Sequence, residues 1–563
     1  LSVVITLLLA AAITPQPVAA QSAPAATAAE TASPAALAAG STEWSITEFD
    51  TVGQDIGLLP SIAIHPYTQQ PWIVFRNKTL SRMEMIHRVP NGGGNCGPNN
   101  TWQCDVLAND VGEISTITFS ATGARATGYS LLDRTKVKVQ YVVGNTTYHG
   151  EYLASEIEGN DPEYANGQVR FASAAFAADN TPRYLFQKTT DVWCLLWEYC
   201  WRYNSLRYAY PTANGNTMSW QASVIDPNYM TYDIFDEANI LTTNGYYPSI
   251  DISLNNQVAA AYRSQTSPTA AVTLKYAEYV GGSTYCNNPE KKSEHGGYGW
   301  ACGVIDPANG SGNYINLHLP HCNNCGDGTR IAYYNAVSGL LRFARYTGVA
   351  TDNCGSGGQA KWKCITIDDV GGNASMPMGV AMVHDQGTPQ IAYYDRNDGN
   401  GRLKLATYIG PGALFANCGG NEWQCDVVDN GGGAKSIGQD AAAAIDNTGR
   451  IYIAYYNVTD GALRVAMQKT AVAPDFTLSV TPNQVNPNEK VQLTYTLTNK
   501  SFSEALSNFQ FQHNAAGVLA LQTDTLQTTC NAKITLPFGI LLNVKNGFLP
   551  KQSSCTITLS AIA

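Results

Sequence analysis

Glu43-Trp44-Ser45-Ile46-Thr47-Glu48-Phe49-Asp50 has the same pattern as Glu422-Trp423-Gln424-Cys425-Asp426-Val427-Val428-Asp429, far downstream. Both place Asp six residues after Trp. The spacing recurs in Trp220/Asp226, Trp300/Asp306 and Trp362/Asp368, whereas Trp102 has Ala108 in the Asp place. Upstream of these stretches run two further repeated strands. The first reads Ile331-Ala332-Tyr333-Tyr334, Ile391-Ala392-Tyr393-Tyr394 and Ile453-Ala454-Tyr455-Tyr456. The second reads Leu206-Arg207-Tyr208-Ala209, Leu274-Lys275-Tyr276-Ala277, Leu341-Arg342-Phe343-Ala344, Leu403-Lys404-Leu405-Ala406 and Leu463-Arg464-Val465-Ala466.

Weaker copies of the first strand end at Phe75, Tyr129, Phe186 and Tyr262, so seven aromatic positions recur at steps of 54, 57, 76, 72, 60 and 62 residues. Each unit holds about four strand-like runs, as one propeller blade does. Solenoid repeats are shorter, at ~20–45 residues. Tandem immunoglobulin-like units are longer, at ~100 residues. The seventh unit stops near Lys469 before any Trp strand, while Trp44–Asp50 stands alone at the front. The N-terminal strand is therefore expected to complete the last blade and satisfy its open edge. The expected fold is all-β: a seven-bladed β-propeller closed by an N-terminal strand, spanning 41–470.

The repeat resembles that of bacterial secreted propeller proteins with Ile-Ala-Tyr-Tyr and Leu-Lys-Tyr-Ala blades, over roughly Trp44 to Lys469. The sialidase box Ser-x-Asp-x-Gly-x-x-Trp and the integrin-type Asp-x-Asp-x-Asp-Gly loop are both missing from the sequence. After Lys469 the pattern changes to alternating strands, as in Val491-Gln492-Leu493-Thr494-Tyr495-Thr496-Leu497-Thr498-Asn499 and Cys555-Thr556-Ile557-Thr558-Leu559. Residues 471–563 resemble an Ig-like β-sandwich of bacterial surface proteins, and the last strand reads as cut short.

The remaining features concern location. Leu1 to Ile13 is an apolar run followed by Val18-Ala19-Ala20, which reads as a signal peptide over 1–20 with its n-region missing. The run is shorter than the ~20 apolar residues of a membrane span, and no membrane span is expected in the mature segment. Residues 21–40 are an Ala/Thr/Ser/Pro-rich spacer. The 14 cysteines fall into sequential neighbours: Cys96/Cys104, Cys194/Cys200, Cys286/Cys302, Cys322/Cys325, Cys354/Cys364, Cys418/Cys425 and Cys530/Cys555. Local pairs of this kind suit an oxidising compartment, so the protein is expected to be secreted or at the bacterial cell surface. Net charge is −10 with no basic run, which excludes a nucleic-acid partner. No oligomeric state follows from the sequence.

Two insertions fall in the third unit, on the loops that line propeller ligand faces: Asp191–Tyr203 and Asp226–Tyr247. They bring Trp193, Trp197, Tyr199, Trp201, Tyr229 and Tyr232 beside Asp233, Asp236 and Glu237. Aromatic rings stack on sugar faces, and exposed aromatic clusters ordinarily bind or cover something. A glycan or surface protein is the candidate ligand; mutual packing of the insertions is the alternative. His318-Leu319-Pro320-His321-Cys322-Asn323-Asn324-Cys325 has His-x-x-His and Cys-x-x-Cys spacing suited to Zn²⁺, or else forms a disulfide-closed turn. Asp395–Gly401 is an Asp/Asn/Gly-rich stretch that suits Ca²⁺ or a plain turn. No cofactor is otherwise indicated.

The repeated Trp-x5-Asp is read as structural, its Asp capping the turn that leaves the outer strand. His65 and His384 are read as turn residues. Gly-x-Ser-x-Gly, His-Glu-x-x-His and a phosphate-binding glycine loop are all missing. The leading expectation is a non-catalytic propeller scaffold for adhesion or display at the cell surface. The alternative is a secreted glycosidase or lyase acting at the propeller mouth.

Overall fold

The structure is a computed structural model that describes residues 4–7, 44–50, 53–90, 92–153, 166–195, 199–214, 217–233, 245–265, 270–282, 286, 299–321, 328–349, 352–355, 361–371, 379–385, 387–397, 400–411, 416–419, 422–469, 475–482, 484–499, 506–515, 519–549 and 553–562. The chain divides into two compact units, Ser45–Met467 and Gln468–Ala563 with Leu1–Trp44. Both are built of strands. Among the described residues no helix is long and apolar enough to cross a membrane.

The first unit is a β-propeller of four-stranded sheets, each an antiparallel meander. Sheet 1 comprises Ile56–Ile64, Pro71–Asn77, Arg82–Arg88 and Trp102–Asn109; sheet 2 comprises Val111–Phe119, Arg125–Leu131, Lys136–Val143 and Thr146–Leu153. Sheet 3 comprises Asn166–Phe176, Pro182–Leu195, Tyr199–Asn214 and Thr217–Asp233; sheet 4 comprises Tyr246–Ile252, Val258–Ser264, Thr273–Tyr279 and Trp300–Asp306. Sheet 5 comprises Asn313–His318, Arg330–Asn335, Leu340–Tyr346 and Trp362–Asp369; sheet 6 comprises Val380–Asp385, Thr388–Asp395, Arg402–Tyr408 and Trp423–Asp429. Sheet 7 takes Ile437–Ile445, Ile451–Asn457 and Ala462–Gln468 from the far end of the unit and Trp44–Phe49 from its start. The first strands of successive sheets lie against one another, and that of sheet 7 lies against that of sheet 1.

The repeated motifs become legible as contacts between sheets. In four outer strands the Asp accepts a hydrogen bond from a tyrosine in the next sheet's second strand: Tyr262 to Asp226, 2.6 Å; Tyr333 to Asp306, 2.6 Å; Tyr393 to Asp368, 2.6 Å; Tyr455 to Asp429, 2.7 Å. A cation from that sheet's third strand pairs with the same oxygen: Lys275 at 3.0 Å, Arg342 at 2.7 Å, Lys404 at 2.9 Å and Arg464 at 2.8 Å. Burial, then the facing carboxylate, raises all four phenols well above their ordinary value, which keeps them donors. These aspartates thus bridge sheets through Oδ2, and Asp306 and Asp429 also cap the turn leaving the outer strand, their Oδ1 accepting the Ala308 amide at 3.1 Å and the Gly431 amide at 2.9 Å. The register also shows that Tyr262, Phe186, Tyr129 and Phe75 match the first tyrosine of the Ile-Ala-Tyr-Tyr copies, one residue earlier than the sequence alignment placed them.

The tryptophans of the outer strands are buried between aromatic rings. Trp300, Trp362 and Trp423 pack edge-on against Tyr208, Tyr276 and Phe343 of the preceding sheet at 5.4, 5.4 and 5.2 Å. Each also meets a tyrosine of its own sheet: Tyr279, Tyr346 or Tyr408. Edge-to-face pairs of this kind contribute ~0.5–1.5 kcal/mol beyond their area. The leucine of the Leu-(Lys/Arg)-x-Ala strand packs under the first strand of the next sheet. A Cβ on Gly57 (φ +95°) would come within 2.6 Å of Leu463, and one on Gly438 (φ +108°) within 2.9 Å of Leu403. Only glycine fits both the left-handed backbone and the close approach.

Sheets 7 and 1 meet through different bonds. Tyr456 donates to Asp55 at 2.7 Å, the Ile56 amide to the Gly461 carbonyl at 2.9 Å, and within sheet 7 Arg464 pairs with Glu48 of the N-terminal strand.

The second unit has two sheets. One holds Asp475–Thr481, Lys490–Asn499, Ser553–Ile562 and Ala520–Leu521, with Gln527–Thr528 on the same strand; the other holds Leu506–Asn514, Leu541–Leu549 and Asn531–Thr535. Val4–Leu7 runs parallel to Gln510–His513 at the edge of the latter. The rest of the expected signal peptide and the spacer lie outside the described residues. Val491, Leu493, Tyr495, Phe509, Phe511, Leu542, Val544, Ile557 and Leu559 form the core of this unit.

Five expected disulfides are present: Cys96–Cys104, Cys286–Cys302, Cys354–Cys364, Cys418–Cys425 and Cys530–Cys555. Cys194 and Cys200 sit opposite each other in register, with side chains outside the described set, and Cys322 and Cys325 lie outside the described residues.

Asp226 and Lys275 are 0% and 5% exposed, so removing one partner strands the other charge. Asp226→Ala is expected to destabilise the first unit by about 3–5 kcal/mol, measured as a shift in the denaturation midpoint. An equal midpoint would show that the bridge does not hold the sheets together.

Candidate functional site

The first strands carry a repeated irregularity. Their pairing register shifts between Leu58 and Ser61, Tyr246 and Ser249, Asn313 and Asn316, and Gln439 and Ala442. At each bulge one residue takes positive φ: Leu59 at 48°, Tyr247 at 49°, Tyr314 at 50° and Asp440 at 52°. Non-glycine residues rarely hold this conformation, and such strain collects at functional sites. All four lie near the start of a first strand, the end of the sheet where an outer strand hands over to the next sheet.

Asp440 is the one carboxylate among these four. It is 6% exposed, and its Oδ2 accepts the Leu59 amide at 3.3 Å. Its Oδ1 is buried and, among the described residues, has no hydrogen-bond partner. Burial pushes its pKa up to about 6, against a small opposing effect of the Leu59 amide. A buried carboxyl raised into this range holds its proton in mild acid and can give it up, as a general acid does.

Aromatic and cationic groups gather near it. The Tyr247 and Tyr314 rings lie 4.5 Å apart, and burial raises both phenols, with Asp440 among the groups that add to the rise. Arg263, from the second strand of sheet 4, donates to Asn313 Oδ1 at 2.5 Å. Burial lowers its pKa while Tyr247, Tyr246 and Tyr314 support its charge, and among the described residues its Nε has no hydrogen-bond partner. The arrangement offers a proton donor, a pair of aromatic faces and a cation. Asp440 was not singled out from the sequence. The available signal was alignment of Gly438-Gln439-Asp440-Ala441 with Gly57-Leu58-Leu59-Pro60, Gly245-Tyr246-Tyr247-Pro248 and Gly312-Asn313-Tyr314-Ile315, where an acid stands in one copy.

The aromatic insertions of the third unit fall largely outside what is described. Trp197 and Asp236 lie outside the described residues, and the side chains of Trp193, Tyr199, Trp201, Tyr229, Tyr232 and Asp233 lie outside the described set. The backbones of these last six residues extend the strands of sheet 3. Trp193 pairs with Trp201, Cys200 with Tyr232, Tyr203 with Tyr229 and Tyr199 with Asp233.

The His-x-x-His pair comes together with an acid from another sheet. His321 Nε2 lies 2.9 Å from Asp251 Oδ2 and 3.1 Å from Oδ1, and His318 Nδ1 lies 3.8 Å from Oδ2. His384 is not a turn residue: its ring stacks on His318 at 3.5 Å, and its Nε2 is buried without a hydrogen-bond partner. His65 does hold a turn, its Nδ1 accepting the Tyr67 and Thr68 amides at 3.3 Å each. In the candidate calcium stretch, Asp395 is paired with Lys404 at 2.7 Å and accepts the Asn397 amide at 2.9 Å, so a lysine stands where the cation would go.

No protein-family model and no curated protein matches the sequence. Solved structures similar to the chain include an α-L-arabinofuranosidase from Fusarium graminearum, at 9% identity and TM-score 0.35 over 63% of this chain and 94% of that one. The NanB sialidase from Streptococcus pneumoniae matches at 8% identity and TM-score 0.33, over 76% of this chain and 95% of that one. An exo-β-1,3-galactanase from Phanerochaete chrysosporium matches at 8% identity and TM-score 0.23, over 69% and 91%. The expectation of a non-catalytic adhesion or display scaffold is corrected by this finding: all three similar structures are carbohydrate-cleaving enzymes by name.

The raised pKa of Asp440 has a consequence for stability. Between pH ~3.8 and ~6 the folded chain keeps a proton that the unfolded chain releases, so folding stability falls as pH rises through this window and stays lower above it. Asp440→Asn removes the charge while keeping the shape. It is expected to raise stability by about 2 kcal/mol at pH 7.5 and by much less at pH 4, from denaturation curves at the two pH values. Destabilisation at pH 7.5 would mean that the carboxylate serves mainly to latch Leu59.

Proposed function

We propose that the protein is a secreted carbohydrate-active enzyme that cleaves a glycosidic bond at the mouth of a seven-bladed propeller, with Asp440 as the proton donor. The observation that carries this reading is Asp440 itself: left-handed backbone, a buried oxygen without a partner, and a pKa pushed up to about 6. Glycoside cleavage needs a carboxylic acid that stays protonated until the leaving oxygen takes its proton. The Tyr247–Tyr314 pair supplies faces for a sugar ring, and Arg263 supplies a donor for its hydroxyls or carboxylate. A glycan is the substrate class that these groups suit.

A closed ring of seven blades is supported by the cyclic order of first strands and by Trp44–Phe49 as the outer strand of sheet 7. An Ig-like sandwich for 471–563 is supported by its two sheets around one core, stapled by Cys530–Cys555. Export is supported by the local disulfides. The aromatic insertions around Trp193, Trp201, Tyr229 and Tyr232 are proposed as contacts for outlying sugars.

The test is turnover of a panel of aryl glycosides and plant and bacterial polysaccharides. Wild type is expected to release reducing sugar from at least one, with rates falling as pH rises through about 6. Asp440→Asn is expected to lower kcat by ~10²–10⁴ with the fold intact by circular dichroism. A variant as fast as wild type, or a wild type inert on every glycoside, overturns the assignment.

A further inference from the structure

We propose that Asp251, His318 and His321 form a three-ligand site for a divalent transition metal of the Zn²⁺ type. The site lies toward the far end of the first strands of sheets 4 and 5, and it stands independently of the glycosidase reading.

The first argument is geometric. One ligand atom from each residue can be chosen so that all three lie within 4.8 Å of one another. Tetrahedral Zn²⁺ with bonds of ~2.0–2.2 Å spaces its ligand atoms about 3.3 Å apart. The observed separations from Asp251 Oδ2, 2.9 Å to His321 Nε2 and 3.8 Å to His318 Nδ1, bracket that spacing. Small side-chain rotations suffice to seat an ion.

The second argument is support from around the ligands. The Asp251 carboxylate is oriented by the backbone, Oδ1 accepting the Ile252 amide at 2.8 Å and Oδ2 the Leu319 amide at 2.7 Å. It does not need a histidine to hold it in place. The His318 ring is fixed by the His384 ring stacked on it at 20°. Outer contacts of this kind orient ligands and tune affinity in metal sites.

The third argument concerns charge. Three imidazoles crowd here: His318 lies 5.0 Å from His321 and 3.5 Å from His384, between ring centroids. Arg330 comes from the adjoining strand and donates to the Gly387 carbonyl. A divalent metal seated between the His318 and His321 rings would place its charge against the Asp251 carboxylate. Two imidazole nitrogens and one carboxylate oxygen suit Zn²⁺ and its neighbours, not Ca²⁺ or Mg²⁺. His321 is 48% exposed, which leaves an open side for water or an exogenous ligand.

Of the ligands that the sequence suggested, His318 and His321 come together with an acid from sheet 4, 67 residues before His318 (318 minus 251), while Cys322 and Cys325 lie outside the described residues.

The experiment is calorimetric titration of Zn²⁺ and Co²⁺ into the full chain after EDTA treatment and desalting. Wild type is expected to bind about one equivalent, and His321→Ala to weaken binding at least ~10-fold. Because His321 is half-exposed, the metal-free variant should melt with wild type, which separates lost ligation from lost fold. Cys322→Ser/Cys325→Ser is expected to leave Zn²⁺ affinity unchanged. Affinity equal in wild type and His321→Ala, or no saturable binding by wild type, overturns the site.

Discussion

A carboxylate at the end of one sheet's outer strand, shared between a tyrosine and a cation of the next sheet, holds the first unit in order. Smaller polar contacts, such as the Ile117 amide donating to the Ser61 hydroxyl and the Leu317 amide to that of Ser249, add to the bridge. Apolar faces also join the sheets, and they fix little about rotation or slip. A buried Asp bonded to both Tyr and Lys or Arg tolerates neither, because misalignment leaves a charge without its partner in a low-dielectric interior. One constraint accounts for three sequence motifs at once. The Asp closes Trp-x5-Asp, the tyrosine is the first of Ile-Ala-Tyr-Tyr, and the cation is the second residue of Leu-(Lys/Arg)-x-Ala. The Trp of the first motif and the aromatic of the third meet at the same junctions.

The bridge is not uniform around the unit. It joins sheets 3 to 4, 4 to 5, 5 to 6 and 6 to 7. From sheet 1 to sheet 2 the Asp place is taken by Ala108, and from sheet 7 to sheet 1 the tyrosine and cation places are Phe75 and Glu84. Between sheets 2 and 3, Tyr152 and Phe186 pack ring to ring at 5.2 Å instead. The junction of sheets 7 and 1 relies on Tyr456–Asp55, the Ile56 amide on the Gly461 carbonyl and the Leu59–Asp440 contact.

This explains how far the sequence could be read. Strand order and the role of Trp44–Asp50 were legible because repeats report themselves by position. The inter-sheet role of the repeated Asp was not, because those partners lie 25 to 36 residues on, in a different sheet. The turn cap, a local bond, is there at Asp306 and Asp429; the second bond is tertiary. His318 and His321 were visible through their spacing, whereas Asp251 reaches them only through the packing of adjacent first strands. Asp440 was hidden by its setting, since Gln439-Asp440-Ala441-Ala442 reads as an unremarkable strand start until the bulge gives it positive φ.

The two candidate sites sit in different mechanical surroundings. Asp251 and His318 lie on first strands of sheets that the Asp–Tyr–cation bridge joins, so their relative position is over-determined, as ligands to a metal require. Asp440 lies at the junction without that bridge, held to sheet 1 by one backbone amide at 3.3 Å. A carboxyl that must exchange its proton gains from such a setting: its bulge stores strain, and among the described residues its second oxygen lacks a hydrogen-bond partner.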